Sequence, residues 1–119
     1  MISAKTRLMA NYLDYLSQQQ RTTAANLANL DTPGYRTRQV DFSAALRTAL
    51  NDPRGEPQAA VRVTGVEGLA VKSDGNDVSL DRELQNLSET AVRFSHALIM
   101  LRGGIRSVRS AIHEGRGNG

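Results

Sequence analysis

The sequence predicts a mainly α, elongated fold: a pair of long N- and C-terminal helices of coiled-coil type, with a short loop and β-hairpin insert between them. Three observations lead there. Leu80, Leu84, Leu87, Ala91, Phe94, Leu98, Leu101, Ile105, Val108 and Ile112 alternate in steps of four and three. That period keeps one narrow apolar stripe facing a partner helix along its whole length. Ile2, Thr6, Met9, Leu13, Leu16, Gln20, Thr23, Leu27 and Leu30 repeat the pattern, in a more polar form, over the first 30 residues. Finally, a helix over residues 80–112 extends about 50 Å at 1.5 Å per residue, whereas a compact chain of 119 residues has a radius of gyration of about 14 Å.

Residues 1–30 read as the N-terminal helix, because no Gly or Pro interrupts them. Pro33 disfavours helical backbone at Thr32, and Pro33-Gly34 signals a type II turn. Residues 31–77 form the insert. Within it, Tyr35 to Asp41 is a polar segment, and Phe42 to Leu50 makes a short helix with Phe42, Leu46 and Leu50 on one face. Asn51 to Gln58, with Pro53, Gly55 and Pro57, reads as a loop. Ala60-Val61-Arg62-Val63 and Leu69-Ala70-Val71-Lys72 alternate around Gly65 and Gly68 and are expected to pair as the β-hairpin. Asp74-Gly75-Asn76 marks a further turn. Residues 78–113 form the C-terminal helix, capped by Asp77 or Ser79, with Asp81 and Glu83 suiting its dipole. Residues 114–119 read as a flexible polar tail. The two stripes are expected to pack on each other.

Composition limits the core. Hydrophobic residues make up 39%, aromatics 4%, and Trp is absent, so a thin helical seam fits better than a thick closed core. The absence of cysteine excludes thiolate ligands, a cysteine nucleophile and disulfides. Ile2 to Tyr12 carries Lys5 and Arg7 and lacks the apolar region of a cleaved signal peptide. No window has the apolar length of a membrane span. The net charge of +3 rests almost wholly on arginine.

Catalytic and metal chemistry find no support. His96 and His113 stand 17 residues apart, with no carboxylate at ligand spacing except Glu114 beside His113. Ser95 and His96 are neighbours on a helix and point about 100° apart. Asp74-Gly75-Asn76-Asp77 lacks the alternating ligands and closing Glu of a calcium loop. Gly103-Gly104 is not followed by the Lys-Ser/Thr of a phosphate loop and reads as a close-contact or bending point. Arg102, Arg106 and Arg109 share one helix face, but no stacking aromatic stands beside them. Arg36 and Arg38 form a second basic pair after the turn. No enzyme activity, metal or cofactor is expected.

Ala25 to Tyr35, Ala-Asn-Leu-Ala-Asn-Leu-Asp-Thr-Pro-Gly-Tyr, resembles the N-terminal signature of bacterial flagellar rod and hook proteins. Asp74-Gly75-Asn76, Val78, Leu80-Asp81, Glu83 and the closing segment Leu101 to Ile112 narrow the resemblance to the proximal branch of the flagellar basal-body rod protein family. The matches cover the first 42 residues and 74–112, while 43–73 matches poorly, and Leu84 stands where Met is common.

The resemblance implies a structural subunit of the proximal rod that carries torque across the periplasm. It implies export through the flagellar type III apparatus without a cleaved signal peptide, and a chain only partly folded before assembly. Its partners would be its own copies, other rod proteins, the membrane-ring adaptor and the export apparatus, with no nucleic acid and no membrane span. Met9, Leu13, Leu16, Leu27, Leu30, Leu84, Leu87, Phe94, Leu98, Leu101, Ile105, Val108 and Ile112 would bury the coiled coil. Asn26, Asn29 and the Thr32-Pro33-Gly34-Tyr35 turn would set how the N-terminal helix leaves the tube wall. Two other classes remain open at this level: a small basic helical nucleic-acid-binding module, and a flagellar export adaptor or chaperone.

Overall fold

The computed structural model describes residues 4–51 and 62–117. The elements run α1 (Ala4–Ala28), β1 (Arg38–Asp41), α2 (Phe42–Asn51), β2 (Arg62–Gly65) and α3 (Leu80–Gly117). The chain measures 72 × 26 × 17 Å with a radius of gyration of 18.7 Å, well beyond the compact value. Its mainly helical, elongated architecture is the expected one.

α1 and α3 lie antiparallel. Asn26 near the end of α1 bonds Glu83 at the start of α3 at 3.0 Å. At the other end, a Cβ on Gly104 would meet the Thr6 hydroxyl at 3.1 Å. At 1.5 Å per residue α1 spans about 37 Å and α3 about 57 Å, so α3 runs on from Gly104 to Gly117. The helix thus continues through 114–117, beyond the end read at residue 113, with Glu114 and Arg116 among its last residues.

On α1 the seam keeps Leu16 and Thr23 of the expected stripe, whereas on α3 it keeps the heptad period but changes its phase. Its buried members are Leu16, Thr23 and Asn26 on α1 and Glu83, Thr90 and Ala97 on α3. The α3 set recurs every seven residues and continues to Gly104. Side chains shrink along it from Thr to Ala to Gly, which draws the backbones together. Of the apolar stripe read in the sequence, Leu87, Phe94 and Leu101 flank this column half-buried, whereas Leu80, Leu84, Ala91 and Ile112 are exposed. A stripe of leucines sets a period; the polar residues beside it decide which column faces the partner, because buried polar groups must find hydrogen bonds.

The insert forms a two-stranded antiparallel ribbon, with Arg38 opposite Gly65 and Asp41 opposite Arg62. This corrects the expected pairing. Arg62-Val63 pairs with Arg38–Asp41, in the segment read as merely polar, and Leu69–Lys72 carries no strand. The reason lies in α1: its side chains bond the outer edge of β1 (below), and Val40 is buried beside it. Leu69–Lys72 instead leads into a turn tied back by Lys72 Nζ donating to the Leu30 carbonyl at 3.0 Å. Ile2, Ala60, Val61 and most of the loop read at Asn51 to Gln58 lie outside the described residues.

Asp41 closes β1 and caps α2, its carboxylate accepting the Ala44 amide at 3.3 Å. Phe42 then packs on α1, its ring centroid 4.4 Å from Tyr15 and 5.3 Å from Tyr12. At the start of α3, Ser79 Oγ accepts the Arg82 amide at 3.3 Å. Ser79 is therefore the cap, and Asp77 is used elsewhere.

The two central glycines of α3 should respond oppositely to substitution. A Cβ at Gly103 meets nothing within 4 Å, so Gly103→Ala should stabilise the helix by about 0.5–1 kcal/mol. Gly104→Leu must push the Thr6 side chain aside, and should cost about 1–3 kcal/mol. Thermal loss of helicity followed by circular dichroism measures both.

Candidate functional site

The described interior is richest in polar groups where α1 ends and α3 begins. The chain leaves α1 through a turn in which the Tyr35 amide donates to the Thr32 carbonyl at 3.2 Å. Gly34 supplies the positive φ of 74° that a type II turn needs at its third position. The Asp74-Gly75-Asn76 turn lies back to back with it. The Gly34 amide donates to the Asp74 carbonyl at 2.9 Å. Gly75, at φ 87°, comes so close that a Cβ there would meet Gly34 Cα at 3.4 Å. Asn76 staples the two turns, its Nδ2 donating to the Asn29 and Thr32 carbonyls at 2.8 Å each, while its Oδ1 accepts the Val78 amide at 2.7 Å.

Asn26 joins this double turn to both helices and the ribbon. Its Nδ2 donates to the Arg38 carbonyl at 2.8 Å and to Glu83 Oε2 at 3.0 Å. Its Oδ1 accepts the Tyr35 hydroxyl at 2.9 Å and the Arg38 amide at 3.1 Å. All four hydrogen-bonding positions of the amide are used. One heptad earlier on α1, Gln19 Oε1 accepts the Val40 amide at 3.1 Å. Two amide side chains thus stand where a neighbouring strand would bond β1. Glu83 is 0% exposed. It is tolerated because Asn26 and Arg82 Nη1 donate to its two oxygens. Arg82 Nη2 in turn donates to Gln39 Oε1 at 3.2 Å.

Asp77 closes the clasp from the other side. Its Oδ1 accepts the Thr37 amide at 2.6 Å and the Thr37 hydroxyl at 2.8 Å. Burial pushes this carboxyl up, but the two bonds from Thr37 and the positive charge of Arg36 outweigh burial and hold it below its ordinary value of 3.8. The Arg36 contact, at 3.7 Å from an exposed guanidinium, adds little by itself. Among the described residues no buried side-chain polar atom lacks a partner. Beside the clasp a polar groove of about 170 Å³ opens between α1, β1 and α3, smaller than a typical small-molecule site.

The residues expected at interfaces fall into distinct places. Leu16 and Asn26 are buried in the seam. Met9, Leu13, Leu27, Asn29, Leu30, Tyr35, Leu87, Phe94, Leu98 and Leu101 are half-buried. Thr32, Pro33, Gly34, Leu84 and Ile112 are exposed, and the side chains of Ile105 and Val108 lie outside the described structure. Thr37, Asn76, Asp77, Glu83 and Gln19 carry the clasp, although sequence reasoning assigns none of them to a site. The signal for Glu83 is its place seven residues before Thr90 and fourteen before Ala97, a column of non-leucines beside the apolar stripe. His96 and His113 are exposed, and no grouping of metal-ligating side chains occurs among the described residues. Among those residues, no helix is long and apolar enough to cross a membrane.

Fold and clasp together define an elongated protein of helical-pair type. Comparison with known proteins gives that class a family. Residues 13–36 match the signature of the family described as Flagella basal body rod protein; these residues span the seam of α1, Asn26 and the Pro-Gly turn. The flagellar basal body rod protein FlgB of Borrelia hermsii is 31% identical over 108 residues, covering 74% of this chain and 80% of that protein. The corresponding protein of Escherichia coli K12 is 26% identical, covering 96% of each chain, and that of Yersinia enterocolitica is 27% identical, covering 92% and 93%. The chain belongs to the flagellar basal body rod protein FlgB family. It is a structural protein of the flagellar rod and not an enzyme.

The clasp should be the most sensitive part of the fold. Asn26→Ala strands the Arg38 amide and one oxygen of Glu83 and should cost roughly 2–4 kcal/mol. Gln20→Ala, at an exposed position of the same helix, should cost under about 0.5 kcal/mol. Thermal melts compare the two.

Asp77 gives a pH dependence with a definite sign. Its folded pKa lies below its unfolded one, so its contribution is complete above about pH 4 and is lost as pH falls through the folded value. Asp77→Asn should remove part of the acid limb of stability, read from melts between about pH 2 and pH 7.

Proposed function

We propose that the chain is a structural subunit of the proximal rod, which transmits torque across the periplasm. The observation that carries this reading is the exposed apolar flank of α3. A two-helix seam buries one column, and Leu84, Val92 and Ile99 remain open to solvent within an arc of about 80° at 3.6 residues per turn. A tube of parallel subunits covers such flanks, and the similarity to the FlgB proteins gives the tube its setting. In this reading Leu84, Leu87, Phe94, Leu98, Leu101, Ile105, Val108 and Ile112, with Met9, Leu13, Leu27 and Leu30 on α1, bury intra- and inter-subunit contacts. The clasp fixes the angle at which the insert leaves the helices, so torque meets a hydrogen-bonded junction rather than a loose loop.

The partners follow: other copies of the chain, other rod proteins, the adaptor between rod and membrane ring, and the type III export apparatus that delivers the subunit without a cleaved signal peptide. A thin seam suits that route, because little apolar surface has to be exposed to unfold the chain for passage.

Deleting the gene should abolish rods while leaving membrane rings, seen by electron microscopy of basal bodies. Normal rods and motility in the deletion strain contradict the reading. Leu84→Asp with Ile99→Asp, both at exposed positions, should keep helicity near that of the parent and fail to restore motility.

A further inference from the structure

We infer that neighbouring copies of this chain are joined by a strand pairing between their inserts. The outer edge of β2 on one copy takes residues 69–71 of the next, with Val63 opposite Val71 and Gly65 opposite Leu69. The contact lies outside the helical pair. It deepens the structural-subunit reading by naming a bond between subunits, and rests on that reading for the tube in which the copies stand.

The ribbon has one closed edge and one open edge. Asn26 bonds the amide and the carbonyl of Arg38, and Gln19 bonds the amide of Val40, so these β1 residues face α1. Gly65 and Val63 stand opposite them. In an antiparallel ladder the backbone groups of both members of such a pair point away from the ladder. The Val66 amide donates to the Thr37 carbonyl at 3.3 Å, which fits the same alternation. The N–H and C=O groups of Val63 and Gly65 are therefore left on the outer edge of β2, whose four residues are all exposed. Edges are ordinarily protected by charge, proline or a bulge. Val63-Thr64-Gly65 has neither charge nor proline, and no bulge interrupts its register.

The complementary edge lies elsewhere on the same chain. From Leu69 to Val71 no helix, strand or turn forms, and among the described residues no backbone hydrogen bond is made there. Lys72 spends its amide on the Asn76 carbonyl and its carbonyl on the Gly75 amide. Successive residues of an extended chain point their polar groups to opposite sides, so Leu69 and Val71 turn theirs away from that turn. Val71 is 52% exposed. Pairing Val63 with Val71 and Gly65 with Leu69 uses every one of these groups, because each hydrogen-bonded pair exchanges both of its bonds. One chain does not close this pair on itself: Lys72 Nζ holds the segment at the Leu30 carbonyl, and Thr37 holds the Val66 amide on the β1 side. The β1 edge of a further copy is closed by Gln19 and Asn26. Two β2 edges together would need a two-fold axis, which a tube of parallel subunits lacks. An edge on one copy and a different segment on the next form a heterologous contact, the kind that propagates through helical assemblies.

The chain has no cysteine, so introduced thiols report the contact directly. In this register Thr64 and Ala70 face each other as a non-hydrogen-bonded pair, with about 4.5 Å between Cα atoms, within the reach of a disulfide. Both are exposed. Full chains carrying Thr64→Cys and full chains carrying Ala70→Cys, expressed together in the deletion strain, should give a reducible dimer when basal bodies are oxidised with copper phenanthroline. Either variant alone should stay monomeric, and one chain carrying both substitutions should give a ladder of multimers. A dimer from Thr64→Cys alone overturns the proposal in favour of two-fold edge pairing. An intrachain disulfide in the double variant overturns it in favour of a closed hairpin. Basal bodies that contain both variants and form no disulfide also overturn it. A check without thiols is Val63→Pro, which removes one outward amide and leaves the bonds to β1 in place. It should keep the helicity of the parent by circular dichroism and lose most of its swimming; swimming at the parental rate overturns the proposal. Failure of this pairing leaves the chain in the basal body, whereas failure of the rod reading leaves basal bodies without it, so the two are distinguishable.

Discussion

Four hydrogen bonds converge on the side-chain amide of Asn26, and the arrangement of every other element follows from them. Two of the bonds go to the backbone of Arg38, one to Glu83 and one to the Tyr35 hydroxyl. They join the end of α1 to the first strand, to the start of α3 and to the chain leaving the Pro-Gly turn. An amide serves here because it donates and accepts at once; a leucine of similar size would fill the space and leave the Arg38 backbone and one oxygen of Glu83 without partners. Glu83 can be fully buried only in that company.

The same bonds explain the phase of the helical seam. Heptad leucines make either flank of α3 a plausible contact by period alone. A buried carboxylate or amide left unpaired is costly. Docking Glu83 on Asn26 therefore turns the Glu83–Thr90–Ala97 column inward and leaves Leu84 outside. Towards the far end the inward column narrows to Ala97 and Gly104, so small residues let the helices stay close.

A molecule assembled this way is unevenly built. One end is a dense hydrogen-bonded junction, where two glycine turns pack back to back and Asn76 staples them. The other end is a thin seam with open apolar and basic flanks. For a structural protein of the flagellar rod that division is physically sensible: the junction holds the geometry of the subunit, and in the proposed rod the open flanks are surface for neighbours to cover.

Much of this was legible in the sequence. The step-of-four-and-three pattern specified two long helices and an elongated shape, because period depends only on residue spacing. Pro33-Gly34 and Asp74-Gly75-Asn76 specified turns, because local backbone preference is a property of those residues. The Ala25–Tyr35 and Asp74–Glu83 blocks carried the family resemblance. Three matters were decided only by tertiary structure. Which column of α3 faces α1 depended on Asn26 and Glu83, 57 residues apart. Which segment pairs with Arg62–Gly65 depended on amides of α1 bonding the edge of β1. Which of two candidates caps α3 depended on Thr37, which takes Asp77 and leaves Ser79. In each case the choice lay between alternatives of equal local merit, and it was settled by long-range hydrogen bonds whose partners no local pattern brings together.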